Sequence, residues 1–168
     1  MNEKATKVEF DLNRHMARLL LKEPFFAALS RTIDKIPSKA LPTAGVRINN
    51  STAQFELMYN PDFFASLSDT EKGGVLKHEF YHLIFEHCTG RLPSEGMSKL
   101  WNIATDLAIN SHLMNELPEQ GCFPGKGMFK DFEAGLSAEN YFKLLQKMQE
   151  DERQKGEGEG EGGSGSPS

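Results

Sequence analysis

The stretch His78-Glu79-Phe80-Tyr81-His82 reads H-E-x-x-H, and it decides how the rest of the chain is interpreted. In an α-helix, residues four apart lie on the same face, one turn above each other. Two histidines at this spacing can bind one metal ion, at about 2.0–2.1 Å per nitrogen for zinc. A glutamate beside the first histidine lies at the flank of such an ion, where it can deprotonate a bound water. The stretch predicts a zinc-dependent hydrolase, most simply a peptidase.

Residues on both sides of this stretch predict the helix that it needs. Ser68 and Glu71 form an S-x-x-E capping box, which marks a helix start. Gly90 suits the left-handed position just after a helix end. We therefore expect a helix from about Asp69 to about Thr89. The alternative is a surface helix with two chance histidines, but three of the five histidines fall within ten residues: His78, His82 and His87.

Composition narrows the possible partners and the compartment. The 168 residues carry a net charge of −5 and no basic stripe, so we expect no nucleic-acid partner. No run of 18 apolar residues is present, and the polar N-terminus lacks the apolar core of a signal peptide, so we expect a cytoplasmic protein without a membrane partner. Two cysteines, Cys88 and Cys122, do not make a disulfide framework. Cys88 could ligate a metal, but a small buried side chain is the favoured interpretation.

Periodicity predicts an α+β fold, mostly helical, with a small hairpin or sheet packed on the H-E-x-x-H helix. Two short strands, Gly45–Ile48 and Ala53–Tyr59, are joined by a turn rich in asparagine. We expect the second of these strands to form a sheet edge, to which an extended substrate could add. Further helices are expected at Glu9–Leu21, Pro24–Lys35 and Ser98–Asn115, and from near Ser137 onward.

The domain division follows from the composition of the C-terminal segment. From Gly156 the sequence consists of Gly, Glu and Ser with one Pro, which cannot bury apolar surface. We expect one domain over residues 1–150 and a flexible linker or tail over residues 151–168.

A catalytic zinc site usually has three protein ligands, so one must come from outside the histidine pair. Asn102, Asp106 and Asn110 are four apart and form one polar stripe on a helix rich in Ile, Ala and Leu. This stripe suggests a buried hydrogen-bonded network, and Asp106 is the favoured third ligand. His87 is an alternative that needs the helix to break after His82, and without a break we expect it to face elsewhere. Asn102 stays open as a third possibility.

Several segments together resemble a known family. They are the H-E-x-x-H stretch, Arg91, the Trp101–Asn110 helix, Leu117–Cys122 and Leu136–Tyr141. This set is similar to the "putative metallopeptidase domain" found next to von Willebrand A-like domains in bacterial and phage proteins. The resemblance covers residues 10–148. It implies a zincin-like fold, and it suggests a C-terminal partner domain beyond the linker.

The chemistry expected from these residues is hydrolysis of a peptide bond in a protein or peptide substrate. Zinc held by His78, His82 and Asp106 lowers the pKa of its bound water to about 7. Glu79 takes the proton and later passes it to the leaving amine. The competing hypothesis is a catalytically silent zinc-binding interaction module tethered to a partner domain. The presence of Glu79 favours the enzyme, because a structural site does not need it.

Overall fold

The secondary structure is that of an α+β protein in which helices predominate. The computed structural model describes residues 11–87, 90–94 and 96–158, and within them the side chains of all but residues 13, 16, 19, 20 and 158. The elements in chain order are α1 (Leu12–Lys22), α2 (Pro24–Ser30), β1 (Ile33–Pro37), β2 (Ala44–Asn49), β3 (Gln54–Tyr59), α3 (Pro61–Ala65), α4 (Asp69–Ile84), α5 (Lys99–Asn110) and α6 (Ala138–Gly158). The expected fold class is therefore confirmed at the level of α+β.

The chain divides into two compact units, where the sequence suggested one domain. The first unit runs through Leu92 and includes Leu113–Gly121, and the second comprises Pro93–His112 and the chain from Cys122 onward. The last helix, α6, continues to Gly158 and so includes the first part of the segment predicted as a linker. Residues 159–168, the rest of that segment, lie outside the described residues, and the boundary after residue 150 stays a prediction.

A three-stranded sheet in the first unit has the order β1-β3-β2, with β1 parallel and β2 antiparallel to β3. Both strands of the predicted hairpin are present. The first strand was missed, because Ile33–Lys35 had been assigned to the end of a helix. That helix ends at Ser30. The residues from Ile33 onward adopt an extended strand conformation because Ile33 pairs with Phe55 of β3. The prediction that Ala53–Tyr59 forms an edge was wrong, because β3 is central and the edges are β1 and β2.

The core of the first unit forms between the sheet and α4. Leu57 on β3 is fully buried, as are Leu76 and Phe80 on α4. Burying each such side chain stabilises the fold by about 1.5–3 kcal/mol. Phe26 from α2 stacks on Phe80, with ring centroids 6.4 Å apart. The expectation that the sheet packs on the H-E-x-x-H helix is confirmed, and α4 is held on several sides.

The second unit is built on the pair α5 and α6. Trp101, 1% exposed, meets Phe142 edge to face at 5.6 Å between ring centroids. Tyr141 is fully buried, and its hydroxyl donates to the Glu133 carbonyl at 2.6 Å and lies 3.1 Å from the Ser111 hydroxyl. These contacts fix the position of α5, the helix that carries Asp106.

Candidate metal centre

The start of α4 agrees with the sequence analysis, and its end does not. The backbone N–H of Glu71 donates to the Ser68 hydroxyl at 3.2 Å, and the Glu71 carboxylate accepts from the Ser68 N–H at 3.1 Å, which completes the capping box. The helix ends at Ile84, several residues before Gly90. The predicted end near Thr89 was therefore wrong.

The early end has a defined geometry. Glu86 takes a left-handed backbone conformation with φ of 55°. The N–H of Glu86 donates to the Leu83 carbonyl at 3.1 Å, and the N–H of His87 donates to the His82 carbonyl at 3.0 Å. These two bonds define a Schellman motif, in which the residue after the left-handed position returns over the last turn of the helix. Glycine usually occupies that position, so the glutamate gives no signal in the sequence.

His78 and His82 lie on one face of α4, as their spacing predicts. Both are half-buried, and their Nε2 atoms are 3.1 Å apart. Two nitrogens bound at about 2.0–2.1 Å to one tetrahedral ion lie about 3.3–3.4 Å apart. The pair therefore fits one zinc-sized ion with little movement of either ring.

Glu79 is 7% exposed on the same helix. Burying a carboxylate costs free energy unless it is paired or hydrogen-bonded, so a buried acid beside a histidine pair is a candidate functional group. By contrast, Tyr81 turns toward Phe26 and Phe85, with ring centroids 5.4 and 5.3 Å away. Tyr81 therefore serves in packing.

His87 corrects a prediction. Sequence reasoning placed it on an unbroken helix, facing away from His82. The Schellman motif instead brings it back, so that its Nδ1 lies 3.3 Å from Nδ1 of His82. The His87 side chain is 1% exposed. It thus contacts the ring edge of His82 that carries Nδ1, and not the Nε2 edge that faces His78.

A close backbone approach positions α4. A Cβ atom on Gly74 would lie 1.9 Å from the carbonyl oxygen of Glu116, whereas one on Gly73 would meet nothing within 4 Å. Of these two adjacent glycines, only Gly74 lies at a close backbone approach. Lys77 on α4 adds ion pairs next to this contact. Its ammonium group lies 2.6 Å from the Glu116 carboxylate and 2.9 Å from the Glu23 carboxylate.

The cavity of about 360 Å³ in the first unit lies along the N-terminal half of α4 and does not include the imidazole pair. Charged side chains line it, and they pair with one another: Arg18 with Asp69 at 2.6 Å, and Lys77 with its two glutamates. The cavity is therefore not the site that the H-E-x-x-H motif predicts.

Asp106 lies on α5, in the second unit. The polar stripe is not uniformly buried: Asn102 is exposed, Asp106 is half-buried, and Asn110 is 3% exposed and donates to the Cys122 carbonyl at 2.8 Å. The expected burial of the stripe is therefore complete only at the Asn110 end. Burial raises the pKa of the Cys122 thiol, and the charge of Asp106 adds to this effect.

Comparison with known proteins assigns the chain to a family. The sequence profile of the family described as "putative metallopeptidase domain" matches residues 7–167, and the chain belongs to this family. The family implies a metal ion and supports assignment as a hydrolase, which agrees with the imidazole pair.

A similar protein from Thermotoga maritima, named only as an uncharacterized protein, is 25% identical over 118 residues. The match takes in 70% of this chain and 28% of that protein, so the chain corresponds to little more than a quarter of its relative. No solved structure gives a significant match. Within the described part of the chain, none of the helices combines the length and the apolar character that crossing a membrane requires.

Proposed function

We propose that this domain is a zinc-dependent peptidase whose metal ion is held by His78, His82 and Asp106. The observation that carries the proposal is the pair of Nε2 atoms 3.1 Å apart on one helix face, with the buried Glu79 beside the first of them. Two neutral imidazoles suit zinc, and their separation matches two positions of a tetrahedral site.

Asp106 is proposed as the third ligand on chemical grounds. A carboxylate offsets part of the charge of a divalent ion otherwise bound by neutral imidazoles, and two histidines with one carboxylate are a known zinc set in hydrolases. Asp106 is half-buried between an exposed and a buried asparagine, so it is neither fully solvated nor sealed.

The role of each residue follows from its chemistry. Zinc, when bound, supplies Lewis-acid activation of a water and of the scissile carbonyl. The Glu79 carboxylate accepts a proton from the attacking water as the new C–O bond forms. Glu79 then delivers this proton to the departing amine as the C–N bond breaks. His78 and His82 would bind the metal in their neutral form, because a protonated imidazole has no lone pair for a metal.

The proposed substrate is an extended peptide, and β2 is the proposed binding edge. Among the residues that the structure describes, β2 is an edge strand and pairs with another strand on one side only. It also contacts α4, the helix of the histidine pair. A peptide added to this edge would be bound through main-chain hydrogen bonds, which tolerate many side chains.

Metal content provides the first test. The purified wild-type protein is expected to contain about one zinc per chain, and a His78→Ala, His82→Ala double variant to contain almost none. Asp106→Ala should weaken zinc binding strongly in a competition titration with a chelator. His112→Ala is the matched control, since His112 is an exposed histidine outside the motif. Equal zinc in the wild type and the double variant would end the proposal.

Hydrolysis provides the second test. Wild-type protein and Glu79→Gln are incubated, zinc-loaded, with a library of unstructured peptides, and new termini are counted by mass spectrometry. The amide cannot accept a proton from water, so the variant is expected to keep its zinc and lose cleavage. Full zinc occupancy with no cleavage by the wild type would favour the silent interaction module instead.

A further inference from the structure

His82 makes two imidazole contacts, one through each ring nitrogen. Its Nε2 lies 3.1 Å from Nε2 of His78, and its Nδ1 lies 3.3 Å from Nδ1 of His87. The ring of His87 is inclined at 71° to that of His82. The three histidines therefore form a chain of contacts with His82 in the middle, and only one edge of His82 faces the proposed metal position.

The chemistry of the imidazole ring determines where the protons lie. A neutral histidine has one N–H and one lone pair. If Nε2 of His82 uses its lone pair to bind a metal, the proton of this ring must be on Nδ1. A histidine that binds a metal almost always donates its second N–H to an acceptor, which fixes the ring and its tautomer. Nδ1 of His87 is within reach to accept that bond.

We infer that His87 is a positioning residue, which holds His82 in the orientation and tautomer that bind the metal. The inference rests on the proposed function, because it assigns Nε2 of His82 to the metal. His87 is not itself a ligand of that ion, since it contacts the other edge of the His82 ring. It accepts a hydrogen bond from His82 Nδ1–H and carries its own proton on Nε2.

The turn after α4 makes this arrangement rigid. The backbone bond from His87 to His82 belongs to the Schellman motif, and this motif places the residue after the left-handed position over the residue five before it. An apolar pair commonly fills those two places; here they hold two histidines. His87 is 1% exposed, so its ring has little freedom to rotate away. Burying an imidazole is costly unless it is hydrogen-bonded, which fits a role in orienting its neighbour.

Three proteins test the inference: wild type, His87→Asn and His87→Leu. The side-chain oxygen of asparagine can occupy the position of Nδ1 and accept the same hydrogen bond, whereas leucine fills the space without an acceptor. Zinc affinity is measured by competition with a chelator. We expect His87→Leu to bind zinc about 10–100-fold more weakly than the wild type, and His87→Asn to recover most of that loss. Circular dichroism checks that all three are folded.

Nuclear magnetic resonance of ¹⁵N-labelled imidazoles gives a readout that packing alone would not change. In the metal-free wild type and in His87→Asn, His82 is expected to carry its proton mainly on Nδ1, and in His87→Leu this preference should be lost. Equal zinc affinities and equal His82 tautomers in all three proteins would overturn the inference while leaving the proposed function intact. A loss in His87→Asn as large as in His87→Leu would show that packing, not the acceptor, matters. Failure of the wild type to bind zinc would refute the proposed function, and the tautomer measurement would still decide the His82–His87 contact.

Discussion

The two adjacent glycines of α4 offer a paired test of how the metal-site helix is held. Gly73→Ala and Gly74→Ala make the same chemical change one residue apart. In a helix interior, alanine is more favourable than glycine by about 0.5–1 kcal/mol. A Cβ on Gly73 would meet nothing within 4 Å. We therefore expect Gly73→Ala to stabilise the protein by up to about 1 kcal/mol.

Gly74→Ala has the same gain in helix propensity as Gly73→Ala, but it also has a steric cost. Its Cβ would lie 1.9 Å from the Glu116 carbonyl oxygen and 2.7 Å from the carbonyl carbon. The backbone at Glu116 must move by about 1 Å or more to reach an ordinary contact distance, and the Glu116 side chain is tied to α4 through Lys77. Overpacking costs about 1–3 kcal/mol. Because backbone is displaced, we expect a net loss near the upper end of that range.

Thermal unfolding followed by far-UV circular dichroism measures both variants. For a chain of this size, 1 kcal/mol corresponds to about 2–4 °C in Tm. Gly73→Ala should raise Tm by up to about 4 °C, and Gly74→Ala should lower it by several degrees. Both measurements are made without metal, so they do not depend on zinc binding. If Gly74→Ala were as stable as Gly73→Ala, the segment around Glu116 would not be held against α4.

Two further predictions concern charge and burial. Burial by itself lowers the pKa of Lys77, because it disfavours the charged ammonium group. The hydrogen bonds and negative charges of Glu116 and Glu23 outweigh burial, so the pKa is raised above its ordinary value of 10.5. The ion pairs of Lys77 should therefore stabilise the fold fully at any pH below the ordinary pKa, which applies to the unfolded chain. This stabilisation should be lost as the pH rises through the raised pKa of the folded protein. Lys77→Met should be less stable than the wild type near neutral pH, and the difference should shrink in strong alkali; a constant difference would show that the charge contributes nothing. Tyr141→Phe should cost about 0.5–1.5 kcal/mol in urea unfolding, because it removes the hydroxyl that donates to the Glu133 carbonyl; an unchanged midpoint would contradict the assigned bond.

The features predicted correctly from the sequence are those that depend on short spacings along the chain. The start of α4 follows from Ser68 and Glu71, which are three residues apart, and the common face of His78 and His82 follows from the helical repeat. Such contacts form within one turn of backbone, so residue type and spacing are sufficient to predict them. The start of α5 after Ser98, whose hydroxyl accepts from the Trp101 N–H, has the same origin.

The features that sequence reasoning missed depend on contacts between distant segments or on a rare backbone conformation. Ile33–Pro37 is a strand because it pairs with Gln54–Tyr59, about twenty residues away. That pairing satisfies its backbone hydrogen bonds, and local preference does not reveal it. The close approach of the Glu116 backbone to Gly74 likewise joins segments that are far apart in the chain, so local sequence does not predict it.

The end of α4 shows most clearly where local preference fails. Residue type alone favoured Gly90 for the left-handed position, because glycine has no Cβ to clash there. The helix instead turns at Glu86, at a small steric cost that the surrounding structure offsets, and this places the His87 ring in the interior beside His82. The common face of His78 and His82 is thus determined by the sequence, because it needs only one turn of helix. The contact between His82 and His87 was decided by tertiary structure, because it depends on where the helix ends and on what is buried next to that end.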